Sequence, residues 1–198
     1  MTAPPVKLNL KVYQGSTFTE ILRWESSTKV YKPITAITKA APVVITSTAH
    51  NIPTGWRARV TNVVGMKEIN CATDVYYTVT DKTTDTVTIN SLNTLSYSDY
   101  TSGGILEYNL PVDLTGYTAR MQIRGKLTDT SVIKELTTVN GGIVLNNTTK
   151  TITAGMSAAD TALFTFSTAV YSLELVSSGA EVYQMLTGTL TLVKEVTR

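Results

Sequence analysis

The sequence holds one cysteine, Cys71, and one histidine, His50. A single thiol excludes an internal disulfide framework and any zinc site built from several cysteines. A single imidazole excludes a cluster of histidine ligands, so neither a metal nor another cofactor is expected. Charge is also scarce: Asp, Glu, Lys and Arg make up 16% of the 198 residues, where an ordinary globular chain carries roughly 25%. Seventeen basic and fifteen acidic side chains leave a formal net charge of +2, too little to recruit nucleic acid or a charged membrane surface. No apolar run approaches the roughly 18 residues of a spanning helix. The opening Met1-Thr2-Ala3-Pro4-Pro5 lacks the basic and apolar segments of a secretory signal. The expectation is a protein made in a cytoplasm, without membrane insertion.

What is present favours strands. Threonine supplies 36 residues, and Val, Ile and Tyr are plentiful. Such side chains suit a half-buried pleated surface and lose rotamer freedom in helices. Alternation locates the strands. Leu8, Leu10 and Val12 share a face opposite Lys7, Asn9 and Lys11. Ala119, Met121 and Ile123 face inward while Arg120, Gln122 and Arg124 face out. Tyr171, Leu173 and Leu175 alternate with Ser172 and Glu174, and residues 181–196 alternate for most of their length, with Gly188 as a bulge or bend. Gln14-Gly15-Ser16 and Ser178-Gly179 read as hairpin turns, and Asn140-Gly141-Gly142 and Asn146-Asn147 as further strand breaks. One short helix is expected after Ser157, with Asp160 completing a capping box. The predicted fold is all-β, an antiparallel Ig-like β-sandwich.

Residues 34–109 read differently from their flanks. They hold both His50 and Cys71, and their loops are rich in Asn, Asp, Ser and Thr. Lifting them out joins residues 1–33 to 110–198 as one discontinuous domain of ordinary size. The prediction is therefore a sandwich host with a small β-barrel-like domain inserted at a hairpin tip, where host strands need not move. A single elongated β domain is the alternative.

Few residues suggest chemistry. His50 reads as a turn residue in His50-Asn51-Ile52-Pro53-Thr54-Gly55, because no second histidine or carboxylate pair accompanies it. Cys71 sits between Asn70 and Ala72 with no basic neighbour to stabilise a thiolate. The carboxylates are scattered: Asp113 reads as a turn residue, and Glu174, Glu181 and Glu195 as outward strand charges. No nucleophile elbow, phosphate-cradling loop or calcium loop appears. Arg120, Arg124 and Lys126 could meet an acidic partner, although outward charges are normal on a sheet.

Some stretches carry a resemblance. Residues 8–18, the run Asp113-Leu114-Thr115-Gly116-Tyr117-Thr118-Ala119-Arg120-Met121-Gln122-Ile123-Arg124, Val139-Asn140-Gly141-Gly142-Ile143, residues 157–163, Tyr171-Ser172-Leu173-Glu174-Leu175-Val176 and Glu195-Val196-Thr197-Arg198 resemble small proteins of tailed bacteriophages. These are similar to the N-terminal β-sandwich of upper baseplate proteins from phages of Gram-positive hosts. Ile37-Thr38-Lys39-Ala40, Val44-Ile45-Thr46-Ser47, His50–Gly55 and Gly65-Met66-Lys67-Glu68-Ile69-Asn70 resemble a module of phage structural proteins. That module is related in fold alone to the first catalytic-cysteine half-domain of ubiquitin-activating enzymes. The resemblance implies a non-enzymatic virion protein of tail or baseplate, with head decoration or a neck position as alternatives. Its partners would be other virion proteins and copies of itself.

Two features bear on such contacts. On the long C-terminal strand, Leu186, Leu190 and Leu192 supply one face while Met185 and Val193 supply part of the other, so Met185, Val193, Arg120 and Arg124 are the candidate interface residues. The arm Thr2-Ala3-Pro4-Pro5 could lie extended along a neighbour. A rival reading is an adsorption module whose insert stacks Trp56, Tyr76, Tyr77, Tyr97 and Tyr100 on host-surface carbohydrate. A small hydrolase is a third and weaker reading.

Overall fold

The computed structural model describes residues 4–196. Thr2 and Ala3 of the arm and the terminal Thr197-Arg198 lie outside the described residues. In chain order, β1 (Val6–Lys7), β2 (Leu10–Tyr13) and β3 (Phe18–Leu22) come first. Then follow β4 (Glu25–Pro33), β5 (Ala36–Ile37), β6 (Val43–Thr46), β7 (Arg57–Val64), β8 (Tyr77–Thr78), β9 (Asp81–Lys82), β10 (Thr86–Ile89) and β11 (Ser102–Pro111). The chain ends with β12 (Thr118–Arg124), β13 (Lys134–Thr137), β14 (Ile143–Asn146), β15 (Thr151–Met156), helix α1 (Ala158–Ala162), β16 (Thr168–Val176) and β17 (Val182–Val193). The fold is all-β and sandwich-like.

Two compact units divide the chain, one through Arg23 and from Asp113 onward, the other Trp24–Val112. In the first, a six-stranded sheet runs β1-β17-β16-β12-β13, with β2 also paired to β17, and a three-stranded sheet runs β14-β15-β3. The inner faces follow the alternation: Met121, Ile123, Tyr171, Leu173 and Leu190 from the large sheet, Ile143, Ile152 and Met156 from the small one, all buried. Burying a side chain of this size stabilises the unit by about 1.5–3 kcal/mol. Helix α1 starts as its sequence dictates. The Ser157 hydroxyl accepts the Asp160 N–H at 3.1 Å, and the Asp160 carboxylate accepts the Ser157 N–H at 3.1 Å.

Three details of this unit depart from the sequence reading. Gln14-Gly15-Ser16 does not close a hairpin. It carries the chain from β2 in the large sheet to β3 in the small one, with Gly15 at φ 75. The same turn chemistry serves a hairpin or an arch between sheets, so composition alone could not separate them. The N-terminal segment pairs with β17 in parallel, not antiparallel, and is broken at Leu8-Asn9 between β1 and β2. Finally, the bulge in β17 is not at Gly188. Leu173 pairs with Leu186 and Glu174 with Gln184, which leaves Met185 as the extra residue.

Gly188 has another role. A Cβ there would lie 1.9 Å from the Leu8 carbonyl oxygen and 3.2 Å from the Tyr171 ring. That oxygen accepts the Tyr171 hydroxyl at 2.7 Å.

The second unit contains two four-stranded sheets, β5-β6-β10-β9 and β4-β11-β7-β8, and no closed barrel. Its core gathers Ile45, Ile52, Trp56, Met66, Ile69, Ile89 and Leu106. The units divide at 23/24 and 112/113 rather than at 33/34 and 109/110, because β4 pairs along its length with β11, from Pro33 opposite Ile105 to Glu25 opposite Pro111. The stem closes where Val112 N–H donates to the Trp24 carbonyl at 3.0 Å. Pro33 and Pro111 each sit at a strand end, where the missing N–H is tolerated.

Gly188→Ala is expected to destabilise the first unit by about 1–3 kcal/mol, the usual range for overpacking, read from the denaturant midpoint of the full chain. Deleting residues 24–112 and joining Arg23 to Asp113 through a short glycine linker is expected to leave a cooperatively unfolding β unit. A non-cooperative melt would show that the units share one folding core.

Candidate functional site

In the second unit, His50 is fully buried. Its Nδ1 accepts the Ile52 N–H at 3.0 Å, so the ring proton resides on Nε2, which faces the carbonyls of Thr83 and Thr86 at 3.1 Å each. The Tyr108 hydroxyl donates to the His50 carbonyl at 2.5 Å. The imidazole therefore ties the 50–55 turn to the loop between β9 and β10, and no lone pair is free for a substrate. Burial pushes its pKa below 6.5, outweighing the two carbonyls that favour the cation, with Lys82 lowering it further and Asp85 opposing.

Cys71 is half-buried, and its Sγ accepts the Val60 N–H at 3.3 Å. Burial, and Cys71 beside it, pushes the Tyr77 phenol up to about 12.

The aromatics considered for sugar stacking are mostly structural. Trp56 is fully buried and donates Nε1–H to the Asn109 carbonyl at 2.9 Å. Tyr77, Tyr97 and Tyr100 pack against the core cluster, and the Tyr100 hydroxyl donates to Gly103 O at 2.9 Å. Tyr76 carries the Arg57 guanidinium 4.6 Å above its ring. That guanidinium also makes a two-pronged pair with Glu25 at 2.6 and 2.7 Å. Sequence reasoning missed this cluster because Glu25 and Arg57 lie 32 positions apart and only the β4-β11-β7 order brings them together.

In the first unit, the outer face of the large sheet is assembled in register. Arg120 lies opposite Glu174, Gln122 opposite both Ser172 and Glu135, and Arg124 opposite Val170. Thr187 and Thr189 continue the face beside Ser172 and Val170. Thr191 lies beside Thr168 and Lys11, and Val193 beside Tyr13.

Arg120, Glu174, Glu135 and Arg124 on this face are partnered within the chain, while Lys7 and Lys11 lie at its β1–β2 margin beside Thr187 and Thr191. Arg120 Nε donates to Glu174 at 3.0 Å, and Gln122 Nε2 to Glu135 at 2.6 Å. Arg124 donates to the carbonyls of Asp129 and Thr130 at 2.7 and 2.6 Å. Arg120 and Arg124, which the sequence offered to an acidic partner, thus meet Glu174 and the 129–130 loop. Val193 is 37% exposed and Tyr13 57%. Met185, half-buried at the bulge, stands outside the ladder.

A cleft of about 540 Å³ opens in the same unit, lined in part by Phe18, Leu136, Gly142 and Met156. The Lys134–Asp160 ion pair at 2.5 Å sits at this cleft. Lys134 and the Ser157 cap hold the Asp160 carboxyl at about 2. It stays ionised and occupied, which does not suit an acid or a base of catalysis. Asp113 is held at about 2 by the hydroxyl and N–H of Thr115, as a turn residue should be. Among the described residues, no group of three His, Cys, Asp or Glu side chains is placed to hold a metal ion. No helix of the described residues is long and apolar enough to cross a membrane. No protein-family model and no curated protein matches the chain.

The His50 arrangement sets a pH dependence. Because the folded pKa lies below 6.5, the unfolded chain takes up the proton first as the pH falls below that value. The imidazole's contribution is intact above pH 6.5 and is lost as the pH drops toward the folded pKa, by at most about 1.4 kcal/mol per pH unit. The denaturant midpoint of the wild type should fall below pH 6.5 relative to its own value at neutral pH. His50→Gln, less stable at every pH, should lack that component; identical pH slopes would contradict the buried neutral imidazole.

Proposed function

We propose that the protein is a non-enzymatic structural component of a tailed-bacteriophage virion, placed in the tail or baseplate, where it joins other virion proteins and copies of itself by direct contact. The observation that carries this reading is the outer face of the six-stranded sheet. It combines a hydroxyl-rich surface, with Thr187, Thr189, Thr191 and Ser172, and β12, β13 and β16 charges already partnered within the chain, next to the apolar Val193 and Tyr13.

Covering the β12–β16 part of this face strands no lone charge, the Lys7 and Lys11 ammonium groups at its margin can stay in water, and the hydroxyls can bond a partner or water equally well. Interface centres are depleted of charge and enriched in aromatic residues for the same reason. The surface pairs contribute little to stability by themselves, about 0–1 kcal/mol each, so their value lies in neutralising the face. The residues that resemble phage baseplate sandwiches, 113–124 and 171–176, build two strands of this sheet. Synthesis in the host cytoplasm and incorporation into the particle would follow.

The test is incorporation. Val193→Asp should leave the fold intact, because the side chain is exposed, yet cut the copies per virion at least about tenfold, equivalent to about 1.4 kcal/mol of contact energy. Leu190→Asp, at a fully buried position, should abolish folding itself. Quantitative mass spectrometry of purified virions, with circular dichroism of the free proteins, separates the two. Normal copy number for Val193→Asp rejects this face as the contact, and absence of the wild-type protein from virions rejects the virion role.

A further inference from the structure

Among the described residues, strand β13 is an edge of the large sheet, paired only with β12. Thr138 N–H donates inward to Ala119 O at 3.1 Å. By the alternation of an antiparallel ladder, residues 134 and 136 also address β12, and the backbone groups of Glu135 and Thr137 point away from it. Outward N–H and C=O groups on an edge are a template for another strand.

Here two of the four outward groups are already occupied. Asn140 Oδ1 accepts the Thr137 N–H at 2.8 Å, and Asn140 Nδ2 donates to the Glu135 carbonyl at 3.0 Å. One side-chain amide thus fills an acceptor place and a donor place that a neighbouring strand would take. The amide is itself fixed, since Oδ1 also accepts Gly142 N–H at 2.9 Å and Asn140 N–H donates to Thr137 Oγ1 at 3.0 Å.

We infer that Asn140 is an edge guard on β13, and that releasing its amide opens the edge to antiparallel pairing with β13 of a second copy. The second copy is favoured by the strand's own sequence. A two-fold pairing that sets Glu135 against Thr137 uses both groups that Asn140 covers. It places Leu136 against its own copy and Ile133 against Val139, which is 93% exposed. Shifting that register by one residue on each strand the other way opposes Glu135 to Glu135, and by two opposes Lys134 to Lys134, so like charges disfavour those alternatives. This edge is distinct from the sheet face proposed above and its behaviour is read on the purified chain, so either reading can fail alone.

The experiment compares self-association of the full-length wild type, Asn140→Ala, Asn140→Asp, and each variant combined with Thr137→Pro, by sedimentation equilibrium under reducing conditions. Asn140→Ala removes both contacts and should tighten self-association at least about tenfold. Asn140→Asp keeps the acceptor, loses the donor to Glu135, and should give a smaller gain. Thr137→Pro deletes the outward N–H without touching a bond to β12, and should return either variant to the wild-type value. Unchanged association in the folded variants overturns the inference, and so does a gain that Thr137→Pro leaves in place. On the unmodified protein, the Thr137 amide should exchange with solvent as slowly as the inward Thr138 amide; exchange at the rate of a free loop overturns the guard whatever the variants do.

Discussion

The carbonyl of Leu8, laid over Gly188 and held by the Tyr171 hydroxyl, is the constraint on which the first unit depends. β17 already has β16 on one side, and its other side must accept the N-terminal segment. A parallel neighbour that shifts between β1 and β2 has to turn one peptide out of the ladder. That peptide needs space and a donor inside the sandwich, where an unpaired carbonyl is costly. Gly188 supplies the space and Tyr171 the donor. Burial pushes the Tyr171 phenol up to about 12, so the hydroxyl keeps its proton and remains a donor. With the N-terminal segment fixed, the chain leaves β2 at the correct end to cross into β3 and found the second sheet.

Legibility in the sequence followed the length scale of the interaction. Side-chain alternation is a property of two or three neighbouring residues, so the inward sets of β12, β16 and much of β17 could be read directly. The Ser157–Asp160 cap is equally local. The turns were harder, because Gly15 gives the same φ to a hairpin and to an arch between sheets, and the choice depends on strands far away in sequence. The Gly188 case is similar: a glycine inside a strand signals either a bulge or a close backbone approach, and only the pairing partner tells which. The candidate face divided along the same line. Arg120, Gln122 and Arg124 were visible as outward residues, but their partners, Glu174 and the 129–130 carbonyls, come from register and loop geometry. His50 was recognisable as a turn residue, while its burial under Thr83 and Thr86 depends on the β9–β10 connection.

Scarce charge explains why these networks are closed. With 16% charged residues, each ionic group has few competitors for its partner, and the pairs recur on both units. Lys29 meets Glu107 at 2.5 Å, Arg57 meets Glu25, and Lys134 meets Asp160. Glu107 is nearly buried, where an unpaired carboxylate would be strongly destabilising. A surface organised this way has weak long-range fields, and its recognition must rely on shape, hydroxyls and apolar contact at short range.

The same economy governs the strand edges. A sandwich of open sheets has edges that can pair with any extended chain, and a folded protein cannot leave them all available. On β3, Glu20 shares the inward parity of Phe18 and Leu22, so a strand added there would have to accommodate an ionisable group beside the core. On β4, the outer strand of its sheet, the sequence offers Lys29, Lys32 and the terminal Pro33. On β13 no charge is spent on the outward backbone. The Asn140 amide covers it instead, a blockade made of hydrogen bonds alone. A charge would repel an incoming strand permanently, whereas an amide competes with it for the same two backbone groups, and a competitor can be displaced. Charge or proline thus guards the β3 and β4 edges, whereas the β13 edge is held by an uncharged amide that a matching strand can replace.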